Sequence, residues 1–294
     1  MRTVYLGTSA FAAAVLGELA QSPHRPSLVV TRPDRPKGRG RKVQPPPVAV
    51  AAGELGLQLY QPETVNADDA RTRINEADPE AVLVCAFGAL IKEPLLSDHM
   101  MLNVHPSLLP RWRGAAPVER AIMAGDDRTG VSIMVLTAGL DSGPVCRRME
   151  EPIRPDDDYG SLSTRLQTLG GQLLVQELSE RSECQEQDDA QATYAEKIAP
   201  EDRRLDPAKP TAVLARQVRA LTPHIGAYVE LPGGERLGVS EALPTETRVP
   251  SGQLDLDGPR PVLGCADGGL ELIAVQPAGK RLMGGEDYLH GRRR

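Results

Sequence analysis

Aromatic side chains are scarce in this 294-residue chain: they make up 3%, with one Trp and two Phe. A core built from it must therefore rest on Leu, Val, Ile and Ala, which a hydrophobic content of 40% allows. Cysteine is sparse too. Cys85, Cys146, Cys184 and Cys265 are far apart and form no Cys-x-x-Cys pair or Cys/His cluster. That spacing suggests neither a zinc site nor a disulfide framework, and a reduced, cytoplasmic protein is expected. No run of about 18 apolar residues is present, so no spanning helix is expected, and no signal-peptide core follows Met1. The turn at Gly7 is not Gly-x-Gly-x-x-Gly, so the dinucleotide fingerprint is missing.

Positive charge is in overall deficit. The net charge of −6 argues against a general nucleic-acid binder. Its distribution is uneven, with 21 basic and 27 acidic residues in 1–200 and 13 of each in 201–294. Within the acidic part, residues 32–42 carry six cations (Arg32, Arg35, Lys37, Arg39, Arg41, Lys42) against Asp34 alone. This stretch is rich in Pro and Gly and reads as a loop.

What is present is an alternation of short apolar runs and helical patterns. Thr3–Gly7 reads as a buried strand, Thr8-Ser9 as a cap for a helix over 10–21, and Ser27–Thr31 as a second strand. Ala81–Ala86 is a continuous apolar run, as a central parallel strand requires. Met101–His105 and 130–137 read as further strands, 48–55, 66–77, 115–124 and 161–178 as helices. This order predicts an α/β, Rossmann-like, mostly parallel sheet over 1–185. The polar stretch 186–200 reads as a linker. From 201 to 294 one helix (211–220) and short strand-like runs (227–231, 236–239, 261–265, 270–275) predict a small C-terminal β-barrel domain of OB type.

The chemistry concentrates in two places. Asn103 and His105 are two residues apart on a strand, so period-2 alternation puts both on one face. Pro106 should end the strand and leave them at its C-terminal edge, where open α/β sheets bind ligands. Asp141 follows the strand 130–137 and is read as emerging at a C-terminal edge as well, between Gly139 and Gly143, which permit a tight turn. An amide can donate to an oxygen that gains charge, an imidazole can move a proton, and a carboxylate can orient the imidazole. Together they suit acyl-group chemistry without a metal or a covalent nucleophile.

Residues 103–117, Asn-Val-His-Pro-Ser-Leu-Leu-Pro-Arg-Trp-Arg-Gly-Ala-Ala-Pro, resemble the signature of the folate-dependent formyltransferases. Gly130–Met134 with Gly139-Leu-Asp-Ser-Gly143 resembles its second half. The basic stretch 32–42, Thr193–Ile198 and Leu272–Lys280 extend the likeness nearly end to end, toward the members that formylate methionyl-tRNA. The resemblance implies 10-formyltetrahydrofolate as donor, no metal, and the methionine α-amino group on initiator tRNA as acceptor, for translation initiation. It implies Asn103, His105 and Asp141 as the catalytic trio, with Ser107, Leu108, Leu109 and Pro110 beside the folate. Arg35, Arg39, Arg41 and Lys42 would then meet tRNA phosphates, joined by Lys280 and the Arg292–Arg294 tail; the chain is read as a monomer without a membrane partner. The rival enzyme reading is transfer to an amino-sugar nucleotide or other small amine, which should lack the basic stretch. A tRNA-binding protein without catalysis has no use for the trio. Three departures from the family pattern stand out: Ser9-Ala10 lacks an acidic residue, Pro106 replaces a small one, and the stretch 222–227 stands where an aromatic is common.

Overall fold

The computed structural model describes residues 1–37, 40–231 and 233–292. Arg39, Arg293 and Arg294 thus lie outside the described residues. In chain order, the N-terminal elements are β1 (Thr3–Gly7), α1 (Ala10–Ala20), β2 (Leu28–Val30), β3 (Arg35–Lys37), β4 (Lys42–Gln44), α2 (Pro47–Glu54), β5 (Leu59–Tyr60), α3 (Asp68–Glu76), β6 (Ala81–Cys85), α4 (Leu95–Asp98), β7 (Met101–His105) and β8 (Arg113–Gly114). They are followed by α5 (Pro117–Ala124), β9 (Arg128–Val135), β10 (Val145–Pro152), α6 (Tyr159–Glu180) and β11 (Tyr194–Ala195). The remainder is α7 (Thr211–Leu221), β12 (Ala227–Glu230), β13 (Arg236–Thr245), β14 (Leu254–Asp255), β15 (Val262–Gly264), β16 (Gly269–Pro277), β17 (Met283–Gly284) and α8 (Gly285–Arg292).

The chain divides into two compact units. The first comprises 1–114, 129–151 and 163–194. Its seven-stranded sheet has the order β10-β9-β7-β6-β1-β2-β5. The pairs β1–β2, β1–β6, β2–β5 and β6–β7 are parallel. All residues of β1, β6 and β7 are buried, so both faces of the central strands are covered. Val4, Leu6, Val30, Ile74, Val82 and Met101 form the core on one side. The Ser9 hydroxyl caps α1 by accepting from the Ala12 N–H at 3.2 Å, as the sequence led us to expect.

Two expectations for this unit need correction. The basic stretch is not simply a loop: β3 and β4 form an antiparallel hairpin with Arg35 opposite Gln44 and Lys37 opposite Lys42. Its composition gave no hydrophobic alternation from which to read strands. The cysteines are not all separate either, because Cys146 and Cys184 form a disulfide across 38 residues. An isolated antiparallel bridge between Val145 and Gln185 sets them side by side, a juxtaposition that spacing alone does not reveal. Cys85 and Cys265 are free and buried. Burial pushes the Cys85 thiol up to about 12 and that of Cys265 up to about 11, so neither is a ready nucleophile at neutral pH.

The second unit comprises 115–128, 152–162 and 195–294. Its antiparallel sheet follows the order β12-β13-β16-β15-β14, with β17 also on β16. The expected OB-type barrel is replaced by an open path: its end strands β12 and β14 do not pair among the described residues. Helices cover the sheet instead, with Leu214, Val218 and Leu221 of α7 and Leu289 of α8 in the same core as Leu237, Leu270 and Leu272. The helix α8 was not legible in the sequence. His224 takes an aromatic's part, stacking on Tyr159 with ring centroids 3.6 Å apart while its Nε2 bonds Glu119 at 2.9 Å.

A thiol titration of the denatured protein without reductant is expected to find two reactive thiols, rising to four after reduction. Four thiols before reduction would contradict the Cys146–Cys184 pairing.

Candidate active site

The strand β7 lies between β6 and β9. Asn103 and His105 share one of its faces and are 8% and 4% exposed. The Asn103 carboxamide has no hydrogen-bond partner among the described residues. Among the described residues the fully enclosed side-chain polar atoms without a partner are Thr31 Oγ1 and Thr129 Oγ1, so the Asn103 amide still reaches solvent and is open to a ligand oxygen. The His105 Nε2 lies 2.8 Å from the Trp112 carbonyl oxygen. A carbonyl can only accept, so Nε2 carries the hydrogen and Nδ1 is the basic nitrogen. Nδ1 lies 3.7 Å from Asp141 Oδ2.

The segment after β7 is built to return Trp112 to His105. The Ser107 hydroxyl donates to the Arg111 carbonyl at 2.6 Å. Ser132, opposite His105 on β9, donates to the Ser107 carbonyl at 2.7 Å and accepts from the Leu109 N–H at 3.1 Å. Trp112 has φ +63°, and its N–H donates to Thr193 Oγ1 at 2.9 Å. Pro106 follows the last β7–β9 pair, so its missing N–H costs the ladder nothing. Of the four residues that the sequence set beside a folate, Ser107 and Leu109 are fully enclosed, with Leu109 packed on Met134 and Val145. Leu108 and Pro110 are half-buried and retain exposed surface.

Asp141 does not emerge at the edge that the sequence suggested. β9 runs antiparallel to β7, with Val135 opposite Leu102 and Ser132 opposite His105. The C-terminal end of β9 is therefore three residues, roughly 10 Å, away from His105 along β7. The turn after β9 must fold back to bring the carboxylate to the imidazole. Asp141 itself takes the left-handed conformation, with φ +45°, at a cost on the order of 1–3 kcal/mol that its surroundings must offset. Glycine serves here by close approach rather than by positive φ: a Cβ on Gly143 would stand 2.0 Å from the Val135 carbonyl oxygen.

Three groups hold the turn. The Gly114 N–H donates to Asp141 Oδ2 at 2.9 Å; φ +120° at Gly114 admits only glycine. Gln187 Nε2 donates to the Asp141 and Gly143 carbonyls at 2.9 and 2.7 Å. Gln187 Oε1 accepts from Arg113 Nε and NH2 at 3.0 and 2.9 Å. Arg113 is nearly enclosed and also pairs with exposed Asp189 at 2.8 Å. Sequence reasoning missed Gln187, Arg113 and Gly114 as site residues. Gln187 sits in the polar run read as linker, where no periodicity marks it, and nothing local to the Arg-Trp-Arg-Gly stretch 111–114 tells Arg113 from Arg111.

Of the residues expected to meet tRNA, Arg35, Arg41, Lys42 and Lys280 are at the surface. Arg35 is on β3, Arg41 and Lys42 lie at and after the turn into β4, and all three are exposed. Arg35 pairs with Glu63 at 3.1 Å in an exposed bridge of small energetic weight. Alternation puts Arg35, Lys37, Lys42 and Gln44 on one hairpin face. Lys280, in the second unit, is exposed on a turn closed by the bond from its N–H to the Pro277 carbonyl. Among the described residues no three His, Cys, Asp or Glu side chains gather as metal ligands.

This fold recurs in solved formyltransferases. A methionyl-tRNA formyltransferase from Clostridium thermocellum superposes with a TM-score of 0.61 at 15% identity, over 86% of this chain and 96% of that one. The N-formyltransferase from Helicobacter canadensis in complex with folinic acid and dTDP-3-aminofucose gives 0.67 at 13%, over 92% and 97%. At these identities the likeness is one of fold alone. The chain belongs to the formyl transferase family: the family's own pattern matches residues 1–178 and that of its C-terminal domain matches 197–293. A curated relative, "Methionyl-tRNA formyltransferase" of Methylococcus capsulatus, is 39% identical over 99% of this chain and 96% of its own length.

Gly143→Ala is expected to destabilise the protein by about 1–3 kcal/mol, because its Cβ meets backbone. Gly139→Ala, whose Cβ meets only the rotatable Ser142 hydroxyl, is expected to cost clearly less. Comparing the two melting curves checks the close approach that fixes this turn; equal losses would contradict it.

Proposed function

We propose that this chain transfers the formyl group of 10-formyltetrahydrofolate to the α-amino group of methionine carried by initiator tRNA, in the cytoplasm, as a step of translation initiation. The near-full-length identity to a methionyl-tRNA formyltransferase supports this acceptor. The amino-sugar reading rests on fold-level likeness at 13 to 20% identity. The observation that carries the chemistry is the placement of an unpaired amide, Asn103, on the same strand face as an imidazole whose Nδ1 lies 3.7 Å from a carboxylate.

In this reading the neutral amine attacks the formyl carbon, a C–N bond forms, and the carbonyl oxygen becomes an oxyanion. The Asn103 amide donates to that oxyanion. His105, held by the Trp112 carbonyl, uses Nδ1 to pass the proton lost by the amine to the folate nitrogen, which departs as an N–H. Asp141 faces the transient Nδ1–H. The net reaction moves one formyl group and one proton and consumes no other reactant. Holding both substrates together supplies much of the acceleration. Leu108 and Pro110, with the backbone around Ser107 and Leu109, would border the folate; no metal is invoked.

An acidic enzyme that binds tRNA needs local cation density. The β3–β4 hairpin supplies it at a cost, since Lys37 and Lys42 are directly opposite and like charges so placed repel. That arrangement makes sense if the pair meets an anion. Arg35, Arg39 and Arg41 would add to it, and the C-terminal domain would contribute Lys280.

Transfer from the formyl-folate to methionyl initiator tRNA, with an amino-sugar nucleotide as the competing acceptor, tests the assignment. Formylation of the tRNA is expected, and formylation of the sugar alone would overturn it. Asn103→Ala and His105→Ala are each expected to lower kcat by on the order of 100-fold or more with the fold retained. Replacing Lys37 and Lys42 by Ala should leave melting temperature unchanged or slightly raised. It should weaken tRNA binding and make the salt slope shallower by about one to two units, with KM for the folate unaltered.

A further inference from the structure

We propose that Gln187 is a positioning residue for formyl transfer, holding Asp141 where it meets His105; this rests on the reading of Asp141 given above. Every hydrogen-bonding capacity of the Gln187 amide is used. Its Nε2 spends both hydrogens on the carbonyls of Asp141 and Gly143. Its Oε1 takes both guanidinium donors of Arg113. Two acceptors on one side and two donors on the other fix which end is nitrogen and which is oxygen.

The bonds form a closed brace around one carboxylate. Gln187 grips the Asp141 turn by its backbone. Arg113 grips Gln187 by its side chain, and the next residue, Gly114, gives its N–H to the Asp141 carboxylate at 2.9 Å. Backbone and side chain of Asp141 are thus tied to the same two-residue strand. That strand is itself fixed by the bond from the Arg113 N–H to the Thr193 carbonyl at 2.8 Å. Gln187 is anchored in turn by its neighbours, through the Val145–Gln185 bridge and the Cys146–Cys184 disulfide. A left-handed aspartate at a turn far from the end of its own strand has no local reason to point at His105. Without the amide, two carbonyls lose their donor, and no other hydrogen bond among the described residues replaces it. The requirement is specific: a side chain with two N–H donors ahead and an acceptor behind, which among the common residues only Gln and the shorter Asn present.

The test compares Gln187→Ala, Gln187→Glu, Asp141→Ala and the Gln187→Ala/Asp141→Ala pair in steady-state formylation of methionyl-tRNA, with thermal melts on each. Gln187→Glu keeps the acceptor for Arg113 but sets a carboxylate oxygen against two carbonyls. If Gln187 positions Asp141, both Gln187 variants lose kcat by on the order of 10- to 100-fold. KM for tRNA and for folate stay near the original values, and the double variant is no slower than Asp141→Ala alone. A merely structural role through Arg113 predicts instead that Gln187→Glu retains kcat, and that result overturns the proposal. So does a Gln187→Ala loss that appears in full on top of Asp141→Ala. An Asp141→Ala variant with unchanged kcat would remove the reading of Asp141 itself, and with it this inference, and is distinguishable from both.

Discussion

One strand that runs against its neighbours sets the problem that the rest of the site solves. Because β9 is antiparallel to β7, the chain leaves it level with Leu102, while the imidazole belongs to His105 at the other end. Asp141 reaches Nδ1 only if the turn after β9 doubles back, and a turn that doubles back is not self-supporting. Its cost is visible as a left-handed aspartate and as a glycine pressed against the Val135 carbonyl. Its support comes from residues far along the chain, Gly114 and Gln187, which meet it by hydrogen bonds rather than by packing. Hydrogen bonds suit this task because they fix direction as well as distance.

The imidazole is constrained in a complementary way. A backbone carbonyl as partner of Nε2 leaves no choice of tautomer, since a carbonyl has no proton to give. The turn over 106–112 serves to deliver that carbonyl, and its internal bonds account for why Ser107 and Leu109 are enclosed. The signature of the family is in this light largely scaffold. In the proposed reaction Asn103 and His105 supply the side-chain chemistry, while Ser107, Leu109, Trp112, Arg113 and Gly114 are engaged in bonds that hold geometry.

Much of this was legible in the sequence. The strand Met101–His105 has the expected bounds, and the Ser9 cap and the buried β6 run follow directly from local pattern. These are features that short-range physics decides: period-2 burial, side-chain capping, a proline that ends a ladder. The illegible features are those that long-range contacts decide. Gln187 is indistinguishable from a solvated polar residue until Arg113 and the Asp141 turn are placed beside it. Cys146 and Cys184 look unrelated until an antiparallel bridge joins their neighbours. The β3–β4 hairpin hides because it is exposed throughout and has no apolar face to betray it. The C-terminal sheet was read strand by strand but not as a whole, because nothing in short runs tells an open sheet covered by helices from a closed barrel.

The central claim is that the site works through a single tautomer, with Nε2–H on Trp112 and a basic Nδ1 beside Asp141. Nitrogen-15 NMR of histidine-labelled protein measures this directly, with the His105 signals assigned by their loss in a His105→Ala sample. In the neutral form the account predicts a protonated, hydrogen-bonded Nε2 and an unprotonated Nδ1. A neutral His105 with its hydrogen on Nδ1 would contradict it.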